Sequence, residues 1–138
     1  DFPMIMTSGR LVEYEGGGEE TRSNPWLAEL QQNMFVEVNP NDAQQINLRV
    51  GDYVWIETPT GARMKMMAMV TERVPVGMVW APFHFGGWWM GEDLERHYPE
   101  DGAPTVRGEA INTGWTYGYD AVTMMQETKV SLCRLVRA

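Results

Sequence analysis

Tyr53-Val54-Trp55-Ile56-Glu57-Thr58-Pro59-Thr60-Gly61-Ala62-Arg63-Met64-Lys65-Met66-Met67-Ala68-Met69-Val70-Thr71 is the stretch on which the fold turns. Two runs rich in β-branched, aromatic and long apolar residues flank Thr58-Pro59-Thr60-Gly61, where Pro and Gly suit a turn. The spacing predicts a hairpin with strands over 53–57 and 63–71. In the second strand Met64, Met66 and Ala68 point one way and Lys65, Met67 and Met69 the other, because strand side chains alternate. Both faces are largely apolar. That pattern suits a barrel wall covered on its outer face as well as its inner one.

Outward from the hairpin, more short strands are predicted. Residues 3–8 read as a buried strand, 34–38 and 78–82 as two more, and 129–136 as a closing strand. Two helix starts are written in the same way. Asn24-Pro25 and Asn39-Pro40 each place Asn at the cap and Pro at the first helical position. The first helix is expected to end near Asn33, with Trp26, Leu27 and Leu30 on one face. The second carries Asp42 near the positive end of its dipole. From Met90 to Glu127 the periodicity is lost, and a loop this long in a compact domain is usually functional or disordered. Trp115, Tyr117 and Tyr119 favour order there. About six strands with glycine turns predict a mainly β chain, either a small barrel or a sandwich.

The 138 residues suit one domain, taken as residues 1–138. With 43% hydrophobic and 22% charged residues the composition is globular. No apolar run approaches the ~20 residues of a membrane-spanning helix. The net charge of −8 and the lack of a Lys/Arg cluster argue against nucleic acid as a partner. The chain begins Asp1-Phe2-Pro3, without an initiator Met or a signal-like leader, as expected of a processed product or a piece of something longer. The single cysteine, Cys133, excludes an internal disulfide and is expected to be a buried small hydrophobe.

The usual enzyme motifs are missing, and no catalytic residue and no metal ligand is assigned. His84, between Phe83 and Phe85, is expected to be a hydrogen-bonded structural residue on its residue type and neighbours alone. One combination stands out. A strand ending in Ser8-Gly9-Arg10 runs into Glu13-Tyr14-Glu15-Gly16-Gly17-Gly18-Glu19-Glu20-Thr21-Arg22. Three consecutive glycines mark either a flexible loop or a backbone that a ligand approaches closely. Such a loop offers N–H groups and guanidiniums to a phosphate. Its carboxylates suit a guanine or pterin edge, which presents an N–H beside an NH₂.

Thr7-Ser8-Gly9-Arg10-Leu11-Val12-Glu13, Thr21 to Leu30, Phe35 to Ala43, Val50 to Ile56 and Pro82-Phe83-His84-Phe85-Gly86 occur in this order. Together they resemble the C-terminal molybdopterin dinucleotide-binding domain of the dimethyl sulfoxide reductase family. Gly87 to Leu94, Gly108-Glu109-Ala110-Ile111-Asn112-Thr113, Tyr117 to Asp120 and Met125 to Lys129 are similar to the formate dehydrogenase large subunit. The resemblance spans nearly the whole chain. It implies a six-stranded double-psi β-barrel with two short helices and a long aromatic-rich excursion.

The resemblance also implies a bis(molybdopterin guanine dinucleotide) cofactor carrying molybdenum or tungsten and shared with other domains. Its cofactor loop maps onto Gly9, Arg10 and the stretch Tyr14 to Thr21, with Tyr14, Gly17, Glu20 and Thr21 as candidate contacts. Many members carry histidines there; Tyr14, Gly16 and Gly17 stand in their place, which favours backbone contacts. His84, Asn112, Thr113 and Lys129 are the remaining candidates, the amide of Asn112 for a pterin edge and Lys129 for a phosphate or pterin oxygen. The implied partners are the rest of a catalytic subunit bearing the metal ligand and an iron–sulfur cluster, and electron-transfer subunits. Direct membrane insertion is not implied; the compartment is periplasm or cytoplasm, with family resemblance leaning to periplasm. Formate oxidation to CO₂ is the implied reaction of the whole, with no activity in this chain alone. The alternatives are a free-standing barrel used for binding or assembly, and the same domain from an enzyme acting on another oxyanion.

Overall fold

The structure, a computed structural model, describes residues 1–115, 118–126 and 129–138. Six strands close a barrel: β1 (Met4–Gly9), β2 (Phe35–Val38), β3 (Tyr53–Glu57), β4 (Arg63–Val70), β5 (Met78–Pro82) and β9 (Val130–Arg137). Their order around the wall is β1-β5-β2-β4-β3-β9, with β9 returning to β1. The pairs β1–β5 and β2–β4 are parallel and the other four antiparallel. The predicted hairpin is present, with Trp55 opposite Lys65 and Glu57 opposite Arg63. Gly61 takes a φ of 83° in its turn, a conformation that costs glycine little.

Alternation along these strands fills the interior. Met6, Val36, Val38, Val54, Ile56, Met64, Met66, Val79 and Cys133 are all fully enclosed. Each such aliphatic side chain contributes roughly 1.5–3 kcal/mol by leaving water. Methionines supply much of this volume, and their unbranched chains fill irregular gaps that a barrel of mixed strand directions leaves.

Three helical segments lie outside the wall, where two were expected. The second half of the glycine-rich segment is not loop but a helical turn, α1 (Glu19–Ser23). Asn24 is extended and accepts from the N–H groups of Trp26 and Leu27, so α2 (Pro25–Ala28) is a separate turn. Pro25 forces that break, because it disfavours helical backbone at the residue before it. α2 stops at Ala28 rather than near Asn33. Trp26, Leu27 and Leu30 are exposed, not packed on the core. α3 (Pro40–Gln45) follows its Asn39 cap as expected, and Asp42 accepts the Gly77 N–H at 2.8 Å.

The excursion carries regular structure. With β6 (Gly87–Trp89) just before it, the excursion builds a small sheet through β7 (Glu92–Asp93) and β8 (Gly108–Glu109), in the order β7-β6-β8, and it carries 3₁₀ turns at Glu95–His97 and Ile111–Gly114. Arg107 clamps this sheet by bonds to Asp93 and Glu95. Trp115 is buried, whereas Trp89 is 55% exposed. Tyr117, Glu127 and Thr128 lie outside the described residues.

Candidate functional site

Strand directions decide where the site forms. The C-terminal ends of β1, β3 and β5 and the N-terminal ends of β2, β4 and β9 share one mouth of the barrel. The pairings Gly9↔Pro82, Glu57↔Arg63, Phe35↔Met67 and Thr7↔Val130 establish this. The loop after β1, the Phe83–Phe85 turn after β5, the β3–β4 turn and the excursion leading to β9 therefore converge there. The 3₁₀ turn at Ile111–Gly114 sits over the interior at this mouth. A Cβ on Gly114 would press on the methyls of Met64, Met6 and Thr58.

One half of the mouth is the loop from Arg10 to Gly18. Its shape is held by buried side chains whose polar atoms are already used. His84 has no exposed surface. Its Nε2 accepts the Leu11 N–H at 2.8 Å, so the proton is on Nδ1, which donates to the Gly16 carbonyl at 2.9 Å. Burial lowers its pKa from the ordinary 6.5, opposed by the bond to Gly16. Tyr14 packs on His84 and Phe85 and donates to the Gln31 carbonyl at 2.5 Å. Burial raises its pKa, with the Arg22 charge acting against that. Thr21 is buried, and its hydroxyl accepts the Glu15 N–H at 3.2 Å. Gly18, at a φ of 87°, faces the His84 carbonyl so closely that a Cβ would clash.

What these fasteners leave outward is a set of unengaged polar groups. Gly16 and Gly17 are exposed, and among the described residues nothing accepts from their N–H groups. Arg10 is exposed, with its guanidinium 5.3 Å from the Phe83 ring centre and no carboxylate paired to it among the described residues. Glu20 is exposed beside them. Gly9 lies under Trp80, where a Cβ would come within 2.8 Å of the indole nitrogen.

The other half is an open cavity of about 990 Å³. The β3–β4 turn at Thr60–Ala62 forms one side and Trp89 and Met90 another. Asn112, Thr113, Trp115, Tyr119 and Gln126 line the remainder. Aromatic faces with two carboxamides suit a flat heterocycle that both donates and accepts hydrogen bonds.

The candidates from the sequence therefore gather at one mouth but divide by role. Arg10, Gly17 and Glu20 are exposed on the loop, and Asn112 and Thr113 are in the cavity. Tyr14, Thr21 and His84 are the loop's buried fasteners, with their polar atoms engaged by the chain. Lys129 is exposed just before β9 and does not line the cavity. Sequence reasoning missed Trp89, Met90, Tyr119 and Gln126 as wall residues. The paired tryptophans at 88–89 were one available signal, and Tyr119 and Gln126 stood in two of the stretches that carry the resemblance without being singled out. Cys133 is enclosed in the barrel, where burial pushes its thiol up to about 12.

A closed barrel with a loop cradle and a carboxamide-lined cavity at one mouth has the shape and the polar groups to take a long, mixed polar and aromatic ligand. Residues 4–132 match the Molydopterin dinucleotide binding domain family, and the chain belongs to that family. It is 30% identical over 145 aligned positions to formate dehydrogenase 2 subunit alpha (cytochrome c-553) of Nitratidesulfovibrio vulgaris, covering 99% of this chain and 13% of that protein. It is 35% identical over 85 residues to the F420-dependent formate dehydrogenase subunit alpha of Methanocaldococcus jannaschii, covering 62% of this chain and 12% of that protein. In fold it resembles acetylene hydratase from Pelobacter acetylenicus, with a TM-score of 0.70 and 18% identity over 99% of this chain and 18% of that one. The chain is thus a molybdopterin dinucleotide-binding domain homologous to formate dehydrogenase alpha subunits, and it spans only a small share of their length.

Proposed function

We propose that this mouth holds the guanosine and pterin parts of a bis(molybdopterin guanine dinucleotide) in a formate dehydrogenase-like molybdenum or tungsten oxidoreductase. The observation that carries the reading is the gathering of four chain segments around one cradle and one cavity. The residues present fit such a group. The free N–H groups of Gly16 and Gly17 and the Arg10 guanidinium suit a pyrophosphate. The amides of Asn112 and Gln126, set among Trp89, Trp115 and Tyr119, suit a ring edge that presents donor and acceptor together. Lys129 adds a point charge on the approach to β9. When bound, the cofactor supplies the redox chemistry by which the whole enzyme would convert formate to CO₂. This chain's part is to bind, orient and shield the dinucleotide, with the metal ligand, the iron–sulfur cluster and the electron-transfer partners contributed from outside these residues.

Asn112→Ala and Arg10→Ala in the full assembly test this. Each would remove a hydrogen bond to the cofactor, charge-assisted in the case of Arg10, so each is expected to weaken cofactor retention by about 1–3 kcal/mol without unfolding the barrel. Guanine nucleotide released on denaturation and bound metal, both per mole of protein, are the readouts. Full content in both variants would overturn the assignment.

A further inference from the structure

Glu109 is a carboxylate that the cofactor assignment leaves without a task. It lies in β8 with no exposed surface, and no cation pairs with it among the described residues. Its Oε1 accepts from the N–H of Lys65 at 3.0 Å and of Gly91 at 2.6 Å, while Oε2 has no partner among the described residues. The two donors belong to different layers. Lys65 is in barrel strand β4, and Gly91 is in the turn joining β6 to β7.

The β4 contact has a clear origin. Alternate N–H groups of a strand point to the same edge. On that edge Met67 donates to the Met34 carbonyl at 3.2 Å. Lys65, two residues earlier, lies beyond the start of β2, and the Glu109 carboxylate stands where a strand carbonyl would. The turn contact matters for a different reason. Met90 and Gly91 both have positive φ, 49° and 89°. Left-handed backbone is unfavourable for a side chain such as Met90, so the turn needs outside support. Gly91 also packs flat on Trp55, leaving no room for a Cβ. Trp89 and Met90 are the outer wall of the cavity, and Ala110, next to Glu109, is part of its floor.

We infer that Glu109 is a positioning residue that ties the Trp89–Met90 wall to β4 and so fixes the width of the cavity for a flat heterocycle, an inference that rests on the cofactor assignment above. A charged oxygen accepting two amides holds them more tightly than a neutral one would. Burial without a counter-charge raises the carboxyl pKa above its ordinary 4.5, as expected of a group kept for its geometry.

The test compares Glu109→Leu, which removes the acceptor, with Glu109→Gln, which keeps a carbonyl oxygen in its place. In the full chain, hydrogen-exchange protection of the Gly91 amide is expected to fall about tenfold in the Leu variant and to stay within about threefold in the Gln variant. The ¹⁹F signal of 5-fluorotryptophan at Trp89, assigned with Trp89→Phe, should shift in the first and not in the second. In the full assembly, guanine nucleotide retention should drop about tenfold with Leu and recover with Gln. If the Leu variant does not fold, Glu109→Asp, one methylene shorter, is expected to release one of the two amides and give the same contrast with Gln. Unchanged Gly91 protection and Trp89 signal in the Leu or Asp variant would overturn the tie. Loosened wall but intact retention, where Asn112→Ala does lose nucleotide, would overturn the positioning role. Intact retention in Asn112→Ala as well would instead overturn the cofactor assignment.

Discussion

His84 works by being neutral, and that makes a pH prediction. Its ring accepts from Leu11 and donates to Gly16, an arrangement a doubly protonated ring cannot keep. Its folded pKa is depressed below 6.5, mainly by burial, so the unfolded chain takes up the proton first as pH falls. Its contribution to stability is complete above about 6.5 and declines as pH drops through that value toward the depressed one. Arg10 and Glu15 face the ring with opposite effects, and the raised carboxyls of Glu37 and Glu109 act in the other sense, losing stability as pH rises. The difference between parent and His84→Gln isolates the histidine. Urea midpoints are expected to converge between pH 7.5 and 5.5, and a constant gap would refute the clamp. Cys133→Ser should lower stability by about 1–3 kcal/mol, since the enclosed hydroxyl gains no designed partner, while cofactor content in the assembly stays unchanged. Thermal unfolding and metal analysis check this. At this scale Asn112 was legible because a motif carried it. Glu109 stands in the same motif, but nothing in the sequence marks its task, and only the fold shows two backbone amides closing on it.

Among the elements, legibility followed length. The 53–71 hairpin shows its period because both strands run five residues or more and pair locally. β6, β7 and β8 are three residues or fewer, and Gly87 finds its partner at Gly108, so no periodicity could reveal them. The two Asn-Pro helix starts were legible from capping chemistry, whereas the end of α2 was not, because its apolar residues face outward. Removing the Asn24 cap by Asn24→Ala is expected to cost about 1 kcal/mol, read as a shift in the urea midpoint. Gly18→Ala should be worse. It places a side chain at positive φ against the His84 carbonyl, so the loop must move. Limited proteolysis between Arg10 and Arg22 should accelerate at least several-fold in that variant, and an unchanged cleavage rate would count against the rigid cradle.

The whole molecule exposes more apolar surface than a solitary domain favours. Trp26 is 81% exposed, Leu30 62% and Val122 90%. The 138-residue chain alone is therefore expected to self-associate, to retain little cofactor and to show no formate oxidation. Light scattering, guanine nucleotide released on denaturation and an anaerobic formate assay check the three in turn, and measured turnover by the purified chain would refute the last. Barrel class and strand number were legible at this scale; the gathering of the site at one mouth was not, since it depends on strand directions that no local pattern carries. Those directions also bear on how the protein is made. β1 pairs with β9, so Met4 meets Cys133, and β9 also supplies the missing neighbour of β3. During synthesis β1 must wait until residues 130–137 have left the ribosome before its second edge is covered. Closure over so large a sequence separation is slow, and two unpaired edges stay open to neighbouring nascent chains meanwhile. A chaperone that shields β1 and β3 until residues 130–137 emerge would raise the yield of this domain more than one acting after release.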